Sequence, residues 1–403
     1  MRRESKSILI TCPRVSERTG LEVYVTDIAR ELVNRNWKVT IYAPTLGPHA
    51  HNMSSTGIIF ASRIEDIEKP DLIHGNFYFE TILACLRFPS APLVYQCHSA
   101  TIWQALPPKI PNLSKILSVS AACTEVLVNN AGFSLDQISR TFNFVDTTIY
   151  QPRESLPQRP AKALIFSNYA DETNYVPAVR TACERFGIML DVVGMASGSP
   201  CTNPEQILRS YDIVFARGRA AIEAMAVGCA VILCDHEGVG PMVVPENIAS
   251  LKNWNFGFRV LTQPHDPAYL QQQIELYDRS KAKAVQDYVR QELSLCDAVD
   301  VLEKHYDALI QGHNFPDEST NIKYSYDDLL EDVRRVMEPE VTKAENFEKY
   351  APLYRMYSLG LYLLEAEVRR LGSTNLAESR VEAEPAGRTH SHGLRNFWMR
   401  WKR

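Results

Sequence analysis

The chain has 403 residues, of which 45% are hydrophobic and 23% are charged, and its formal net charge at pH 7 is −5. This composition is typical of a globular protein large enough for two domains and an extension, and the negative charge argues against a nucleic-acid-binding protein. The nine cysteines show no metal-ligand spacing, and no apolar run approaches the roughly 20 residues of a membrane-spanning helix, which favours a cytoplasmic protein with at most peripheral membrane contact.

Residues 1–152 are predicted to form a first α/β domain. Short apolar runs predict strands, and stretches between them predict helices at residues 21–34 and 122–130. Because continuous apolar runs suit strands that are buried on both faces, the sheet is expected to be parallel. The predicted strands are residues 7–12, 39–43, 71–74, 93–98, 116–120 and 138–142.

A Pro- and charge-rich segment at residues 152–160 predicts a linker, and residues 161–312 then alternate strands with helices again. This alternation predicts an α/β fold of two Rossmann-like, doubly wound domains. The strands of the second domain are expected at residues 163–167, 189–193, 212–216 and 230–234, and its helices at residues 175–185, 204–209, 218–227, 267–277 and 280–311.

The last 91 residues of the sequence are predicted to form a helical extension at residues 313–372, followed by a disordered linker and a basic amphipathic tail at residues 373–403. The pattern of the tail is typical of a segment that lies on a membrane surface or docks on a partner protein, and a disordered basic tail is the alternative. Its apolar side chains at helical spacing are Leu394, Phe397, Trp398 and Trp401, and its basic ones are Arg395, Arg400, Lys402 and Arg403.

The segment at residues 211–235 carries the strongest chemical signal. After the strand at residues 212–216, Gly218 begins an alanine-rich helix, and Arg217 and Arg219 flank it. Free backbone N–H groups, the helix dipole and two guanidinium groups predict an anion site there. Glu223, one turn further along, is placed to accept from the hydroxyls of a ribose. Alternatively, Arg219 and Glu223 form an ordinary ion pair on a packing helix.

The run from Glu223 to Val231, Glu-Ala-Met-Ala-Val-Gly-Cys-Ala-Val, resembles the nucleotide-binding segment of GT-B-fold glycosyltransferases, in particular the retaining family four. The resemblance implies that Glu223 contacts the ribose of a nucleotide-diphosphate sugar. Phe215 stands where that family has a second glutamate for the donor sugar. The Arg/Lys pair with which the family clamps the diphosphate is also absent, and Arg217 and Arg219 are the predicted substitutes.

Other positions resemble the same family. Gly20, in Thr-Gly-Leu-Glu, resembles the second glycine of the family's Gly-Gly-x-Glu turn, whose backbone approaches the donor phosphate, and a plain loop-to-helix turn is the alternative. His98, at a predicted strand end, resembles the family's histidine beside the sugar and the reaction centre. Asn168 follows the first strand of the second domain and is predicted to bind the donor. Glu237 is the acid best placed to replace the absent sugar-side glutamate, although a simple turn also explains its loop.

These features predict a metal-independent glycosyltransferase without a cofactor. It would move a sugar from a nucleotide-diphosphate donor in the second domain to an unknown glycan, lipid or protein acceptor in the first, with His98 and Glu237 as the catalytic candidates. Two alternatives stay open. One is a catalytically inactive nucleotide-sugar-binding or scaffold protein, and the other is a sugar-nucleotide epimerase of the same fold.

Overall fold

The computed structural model describes residues 5–201 and 203–312. All of them lie in one compact unit of the chain. The helical extension, linker and basic tail predicted from residue 313 onwards lie outside the described residues. Within the described part, no helix is both long and apolar enough to cross a lipid bilayer.

The first half of the described chain is built on a sheet of seven parallel strands in the order β5-β3-β1-β6-β7-β8-β9. We call this half the first lobe. It also contains a two-stranded parallel ribbon, β2 with β4. The strands are β1 Ser7–Thr11, β2 Arg14–Val15, β3 Lys38–Tyr42, β4 Thr45–Leu46, β5 Ile59–Ala61, β6 Leu72–Gly75, β7 Leu93–Cys97, β8 Leu113–Ser118 and β9 Ile138–Arg140.

Helices cover the first sheet and bury its apolar faces. They are α1 Gly20–Asn34, α2 Pro48–Asn52, α3 Tyr78–Arg87 and α4 Ala121–Asn129. Helix α1 begins with a capping box, in which the Thr19 side chain and the Glu22 side chain each accept from the other residue's backbone N–H. The sequence analysis did not predict α2 or α3.

The second half of the described chain, the second lobe, is built on a five-stranded sheet in the order β11-β10-β12-β13-β14. All pairs are parallel except β13 with β14. The strands are β10 Lys162–Phe166, β11 Met189–Val193, β12 Ile213–Ala216, β13 Ala230–Asp235 and β14 Gly238–Met242. Two α/β sheets of Rossmann-like type, the second parallel except for its edge strand β14, confirm the predicted fold class.

Strand β14 corrects one expectation. The sequence analysis placed Glu237 in a loop, but the chain reverses within two residues of β13 and returns as an edge strand. Gly238 permits this turn, because its φ is +154° and a Cβ there would lie 2.7 Å from the carbonyl oxygen of Leu261.

The helices of the second lobe are α5 Val176–Glu184, α6 Pro204–Ile207, α7 Gly218–Val227, α8 Ile248–Asn253, α9 Pro267–Glu275 and α10 Arg279–Glu292, and α11 Leu295–Gly312 follows. One predicted helix at residues 280–311 is thus two. Ser294 breaks it, since the flanking backbone bonds to Val145 and the Ser294 hydroxyl accepts from the N–H of Asp297. The break lets α11 cross to the first lobe, where its apolar face joins the core around β1 and α1.

A buried hydrogen bond fastens α11 to the first sheet. His74 on β6 is 1% exposed, and its Nδ1 lies 2.5 Å from the hydroxyl of Tyr306. The other ring nitrogen is buried without a hydrogen-bond partner in the described residues. Burial lowers the pKa of His74 to about 4, so the folded protein holds a neutral imidazole at neutral pH.

We expect His74 to make stability pH-dependent. Its pKa is lower in the folded protein than in the unfolded chain, so the unfolded chain binds the proton first as the pH falls. The free energy of unfolding should therefore fall by up to about 3 kcal/mol between pH 6.5 and pH 4, and His74→Gln should flatten this slope. Urea denaturation across that range measures it. An unchanged slope in the variant contradicts the expectation.

Candidate functional site

A cavity lies between the two lobes, at the carboxyl ends of their parallel strands. This is where ligands bind in open α/β folds. It measures about 130 Å³, which is less than the roughly 300–1,000 Å³ of small-molecule sites, so a larger ligand requires the walls to move apart. The cavity is lined by Arg18, Gly20, Val23, Tyr150, Phe166, Ser167, Asn168, Gly194, Cys201, Pro204, Arg219, Ala220 and Glu223.

The amino end of α7 forms one wall of the cavity. Gly218, with φ of +55°, turns the chain from β12 into the helix, and its own N–H donates to the carbonyl of Phe256 at 2.8 Å. The Gly218 N–H is therefore not the free anion donor that the sequence predicted. The next two N–H groups, of Arg219 and Ala220, have no acceptor within the helix because they belong to its first turn. Both residues line the cavity.

Glu223 faces the cavity from within α7 and is only 6% exposed. Its Oε1 accepts from Nε of Arg219 at 2.9 Å. Burial raises the pKa of the Glu223 carboxyl, while Arg219 and a hydrogen bond from Tyr150 oppose the rise. The predicted ion pair with Arg219 is formed, and the same carboxylate borders the cleft, so the two interpretations of this pair are compatible.

Arg219 spans the cleft. Besides its bond to Glu223, its guanidinium pairs with Asp27 on α1 of the first lobe. Asp27 also pairs with Arg30 at 2.9 Å, and Arg30 with Asp146 at 2.7 Å. One guanidinium nitrogen of Arg219, Nη1, is buried without a hydrogen-bond partner among the described residues. These ion pairs connect the two lobes across the cleft. They leave one buried hydrogen-bond donor, Nη1 of Arg219, without an acceptor in the described residues.

Arg217 and Glu237 are not among the residues that line the cavity. They pair with each other, and Arg217 also pairs with the buried Asp235. Two carboxylates on one guanidinium give this cluster a net negative charge, so Arg217 is a poor diphosphate ligand in this arrangement. Phe215 is fully buried in β12, so the position of the family's second glutamate is a core position here.

Gly20 is the first residue of α1 and lines the cavity from the first lobe. A Cβ at this position would meet no atom within 4 Å. Nothing inside the described protein therefore requires glycine at this position, and a larger side chain there would have room beside the cavity that Gly20 lines.

We expect Gly20→Ala to separate folding from ligand binding. Because the added methyl group meets no protein atom, the free energy of unfolding should change by less than about 1 kcal/mol. If a phosphate lies against this backbone, nucleotide affinity should fall about tenfold or more. Chemical denaturation and calorimetric titration measure the two effects. Loss of stability with unchanged affinity contradicts the expectation.

Asn168 organises the opposite wall. Its side-chain oxygen accepts from the N–H of Met195 at 3.3 Å, and its carbonyl accepts from the N–H of Ala196. These bonds hold the loop after β11, where a Cβ on Gly194 would lie 1.9 Å from the carbonyl oxygen of Ser167. The strand end and this loop thus pack closely together and form the floor of the cavity. A residue larger than glycine at position 194 would clash with the backbone of Ser167.

His98 follows β7 in the first lobe and does not line the cavity. Its Nε2 lies 2.8 Å from Oδ1 of Asn76, whose Nδ2 donates to the carbonyl of Thr11 at 2.9 Å. Since this orientation of Asn76 presents an acceptor, Nε2 of His98 carries the proton and Nδ1 is an acceptor. Burial lowers the pKa of His98 to about 3, with a further contribution from His74. A neutral imidazole cannot supply positive charge to a phosphate.

A row of aromatic contacts links His98 to Arg219. The His98 ring meets Tyr24 edge-on at a centroid distance of 4.5 Å, and Tyr24 meets Phe144 at 5.1 Å. The Arg219 guanidinium lies 5.3 Å from the Phe144 ring centroid. His98 and the α7 end of the cleft are therefore two rings apart.

Among the residues that the sequence analysis missed are Arg18, Tyr150 and Cys201, which line the cavity, and Asp27, which pairs with Arg219 across the cleft. Each was invisible for the same reason, because its role depends on a neighbour from another part of the chain. Asp27 lies 192 positions from its partner Arg219. Asp27 is an acid in the buried part of α1, and this was a signal that the sequence offered.

Within the part of the chain that the structure describes, no group of three or more His, Cys, Asp or Glu side chains is arranged to hold a metal ion.

The comparisons with known proteins agree with this architecture. Residues 18–149 match the model of Glycosyltransferase Family 4. No curated protein matches the chain.

Solved structures share the fold over both lobes. A glycosyltransferase from Rickettsia africae ESF-5 is 12% identical, covers 77% of this chain and 100% of its own, and has a TM-score of 0.58. Anabaena Alr3699/HepE in complex with UDP and glucose is 15% identical, covers 75% of this chain and 100% of its own, and has a TM-score of 0.54. The same protein in complex with UDP-glucose gives 16% identity and a TM-score of 0.53. At such identities the likeness is one of fold, and the fold is GT-B.

Proposed function

We propose that this chain, a glycosyltransferase of the GT-B fold similar to Family 4, moves a sugar from a nucleotide-diphosphate sugar to an acceptor without a metal ion. The observation that carries the proposal is the cavity between the lobes, which brings Gly20 of the first lobe opposite Arg219 and Glu223 of the second. These residue types, in this arrangement, suit a phosphate chain followed by a ribose.

The ribose would bind Glu223. Its carboxylate is buried, borders the cavity, and is one helical turn beyond the first-turn N–H groups of α7. The diphosphate would bind those N–H groups and the unsatisfied Nη1 of Arg219. As the bond to the sugar breaks, negative charge grows on the leaving phosphate, and donors fixed at a helix N-terminus stabilise it without reorganisation.

The nucleotide base would bind against the floor of the cavity. Asn168 and the loop that begins at Gly194 form this floor together with Cys201 and Pro204. The cavity is smaller than a nucleotide sugar, so donor binding requires the lobes to separate and close again. Closure would then exclude water and suppress hydrolysis of the donor.

The acceptor would bind in the first lobe, near the ends of β6 and β7. His98, with an unprotonated Nδ1, can accept a hydrogen bond from a sugar hydroxyl. Glu80, in the first turn of α3, is a second group of interest, since burial raises the pKa of its carboxyl to about 7. The ring of Phe79, the residue before Glu80, meets the ring of Trp103 edge to face at a centroid distance of 5.7 Å, and an aromatic ring can stack on a sugar face.

The second candidate is a nucleotide-sugar-binding protein that has lost catalysis. It is favoured by Phe215 in the core and by the pairing of Glu237 with Arg217, which leave no free acid in the place of the sugar-side glutamate. An epimerase of the same fold has no separate observation in its favour.

The test is a thermal-unfolding screen of the full chain against UDP, GDP and ADP and their sugars, with UDP-glucose first because HepE is known in complex with it. A ligand at 100 times its Kd should stabilise the protein by about 2.7 kcal/mol. Slow donor hydrolysis by the purified protein supports a transferase, and tight binding without turnover supports the second candidate. No stabilisation by any nucleotide contradicts both.

The peripheral membrane contact proposed for the tail at residues 388–403 has its own test. Full-length protein and protein lacking those residues should differ in flotation with anionic liposomes, and equal flotation removes the proposal.

A further inference from the structure

The cleft is short of positive charge for the ligand proposed above. A nucleoside diphosphate carries two to three negative charges, yet Arg219 already faces Asp27 and Glu223, and this group of three is net negative. Arg217 is held by two carboxylates outside the cavity. A second cation is needed to offset the diphosphate.

Arg18 is the other basic residue among those that line the cavity. It lies in the first lobe, two positions before the start of α1, and its side chain is exposed. The backbone around it presents the amino end of a 15-residue helix to the same cavity, with Gly20 as its first residue. The helix dipole and the guanidinium therefore act in the same direction.

The charge of Arg18 reaches across the cleft. The thiol of Cys201 in the second lobe has a pKa raised by burial, and Arg18 is among the groups that oppose this rise. Burial also raises the pKa of the Tyr150 hydroxyl, and Arg18 is again among the groups that oppose the rise. Tyr150 precedes the second lobe in the chain. Both side chains line the cavity together with Arg18. Arg18 and Arg219 thus face the same space from opposite lobes.

We infer that Arg18 is a donor-binding residue that supplies the second positive charge to the diphosphate, from the lobe opposite to Arg219. The inference rests on the proposed function. It implies that the diphosphate is held by both lobes at once and is fully neutralised only when the cleft is closed. The leaving group is then stabilised only after water has been excluded.

Calorimetric titration of the full chain tests this inference with UDP, GDP and ADP and with the matching nucleosides uridine, guanosine and adenosine. Arg18→Gln should weaken binding of the preferred nucleoside diphosphate about 10- to 100-fold, in the range of a lost charge-assisted hydrogen bond. The affinity for the nucleoside should stay within about twofold of the wild type. Arg18→Lys, which keeps the charge, should recover part of the loss. Arg63→Gln is the control, since Arg63 is 68% exposed and pairs with neighbouring acids on the surface.

Two results overturn the inference alone. One is an Arg18→Gln variant that binds the nucleoside diphosphate as tightly as the wild type does. The other is an equal loss for diphosphate and nucleoside, which indicates a structural role. If the wild type binds none of the three diphosphates, the proposed function fails, and this inference fails with it.

Discussion

Glu223→Gln is expected to remove the preference of the protein for ribose over deoxyribose. The wild type should bind UDP, or whichever diphosphate it prefers, at least about tenfold more tightly than the 2′-deoxy analogue, because a carboxylate accepts from both ribose hydroxyls. The variant should bind the ribonucleotide about 30- to 100-fold more weakly and the 2′-deoxy form about 3- to 10-fold more weakly, because the deoxy form still offers its 3′-hydroxyl to Glu223. Calorimetric titration with both nucleotides measures the change.

Urea denaturation of the same samples checks that each variant is folded. Glutamine keeps the shape of the side chain and an acceptor for Nε of Arg219, so the variant should fold. Glu184→Gln, an exposed acid of the same lobe, should change neither affinity. If Glu223→Gln retains the wild-type preference for ribose, Glu223 does not bind the ribose and the proposed donor geometry is wrong.

Arg219→Leu is expected to destabilise the fold by about 3–5 kcal/mol at pH 8. Arg219 separates two carboxylates that are each 6% exposed, Asp27 and Glu223. Asp27 retains Arg30, whereas Glu223 loses the ion pair that opposes its desolvation. Arg180→Leu breaks a solvent-exposed ion pair with Glu172 and should cost less than about 1 kcal/mol.

The loss of stability in Arg219→Leu should depend on pH in a defined direction. Without Arg219, burial should raise the pKa of Glu223 further, so the folded variant binds a proton more readily than the unfolded chain does. The stability that depends on that proton is present below the unfolded pKa of about 4.3 and is lost as the pH rises through the folded pKa. The difference in the free energy of unfolding between the wild type and Arg219→Leu should therefore be small near pH 4.5 and largest at pH 8.

A second variant separates charge from packing. Arg219→Leu combined with Glu223→Gln removes the buried charge and should recover most of the stability at pH 8, in urea denaturation, without restoring nucleotide binding. If the double variant is as unstable as Arg219→Leu alone, the loss comes from packing, and Arg219 does not act by neutralising Glu223.

The secondary structure followed closely from local pattern, and the longest predicted helix is an exception with a tertiary cause. The strands at residues 212–216 and 230–234 were found because buried parallel strands are continuous apolar runs. The helix at residues 280–311 was predicted as one because its apolar period continues through the break. Ser294 and Asp297, three residues apart as in an N-terminal cap, were the signal for the second helix, but the reason for the break is the backbone of Val145.

The candidate site divides in the same way. Glu223 and the start of α7 were predicted because a lone acid on an alanine-rich helix, one turn after an amino end, is a local feature. The predicted diphosphate role of Arg217 and Gly218 loses support for tertiary reasons: Asp235 and Glu237 hold the guanidinium, and the carbonyl of Phe256 takes the N–H. Sequence spacing determines where a hydrogen-bond donor lies along the chain, but not which acceptor from another part of the chain binds it.

The sequence by itself determined the parallel strands of the two sheets and the helix that begins after β12, since strand burial and helix termini depend on residues within one or two turns. Only the tertiary structure decided that Asp27, distant in the chain, meets Arg219 across the cleft, and that Arg18 faces the same space from the first lobe. Charges interact through space, and the folding of two lobes against each other sets those distances.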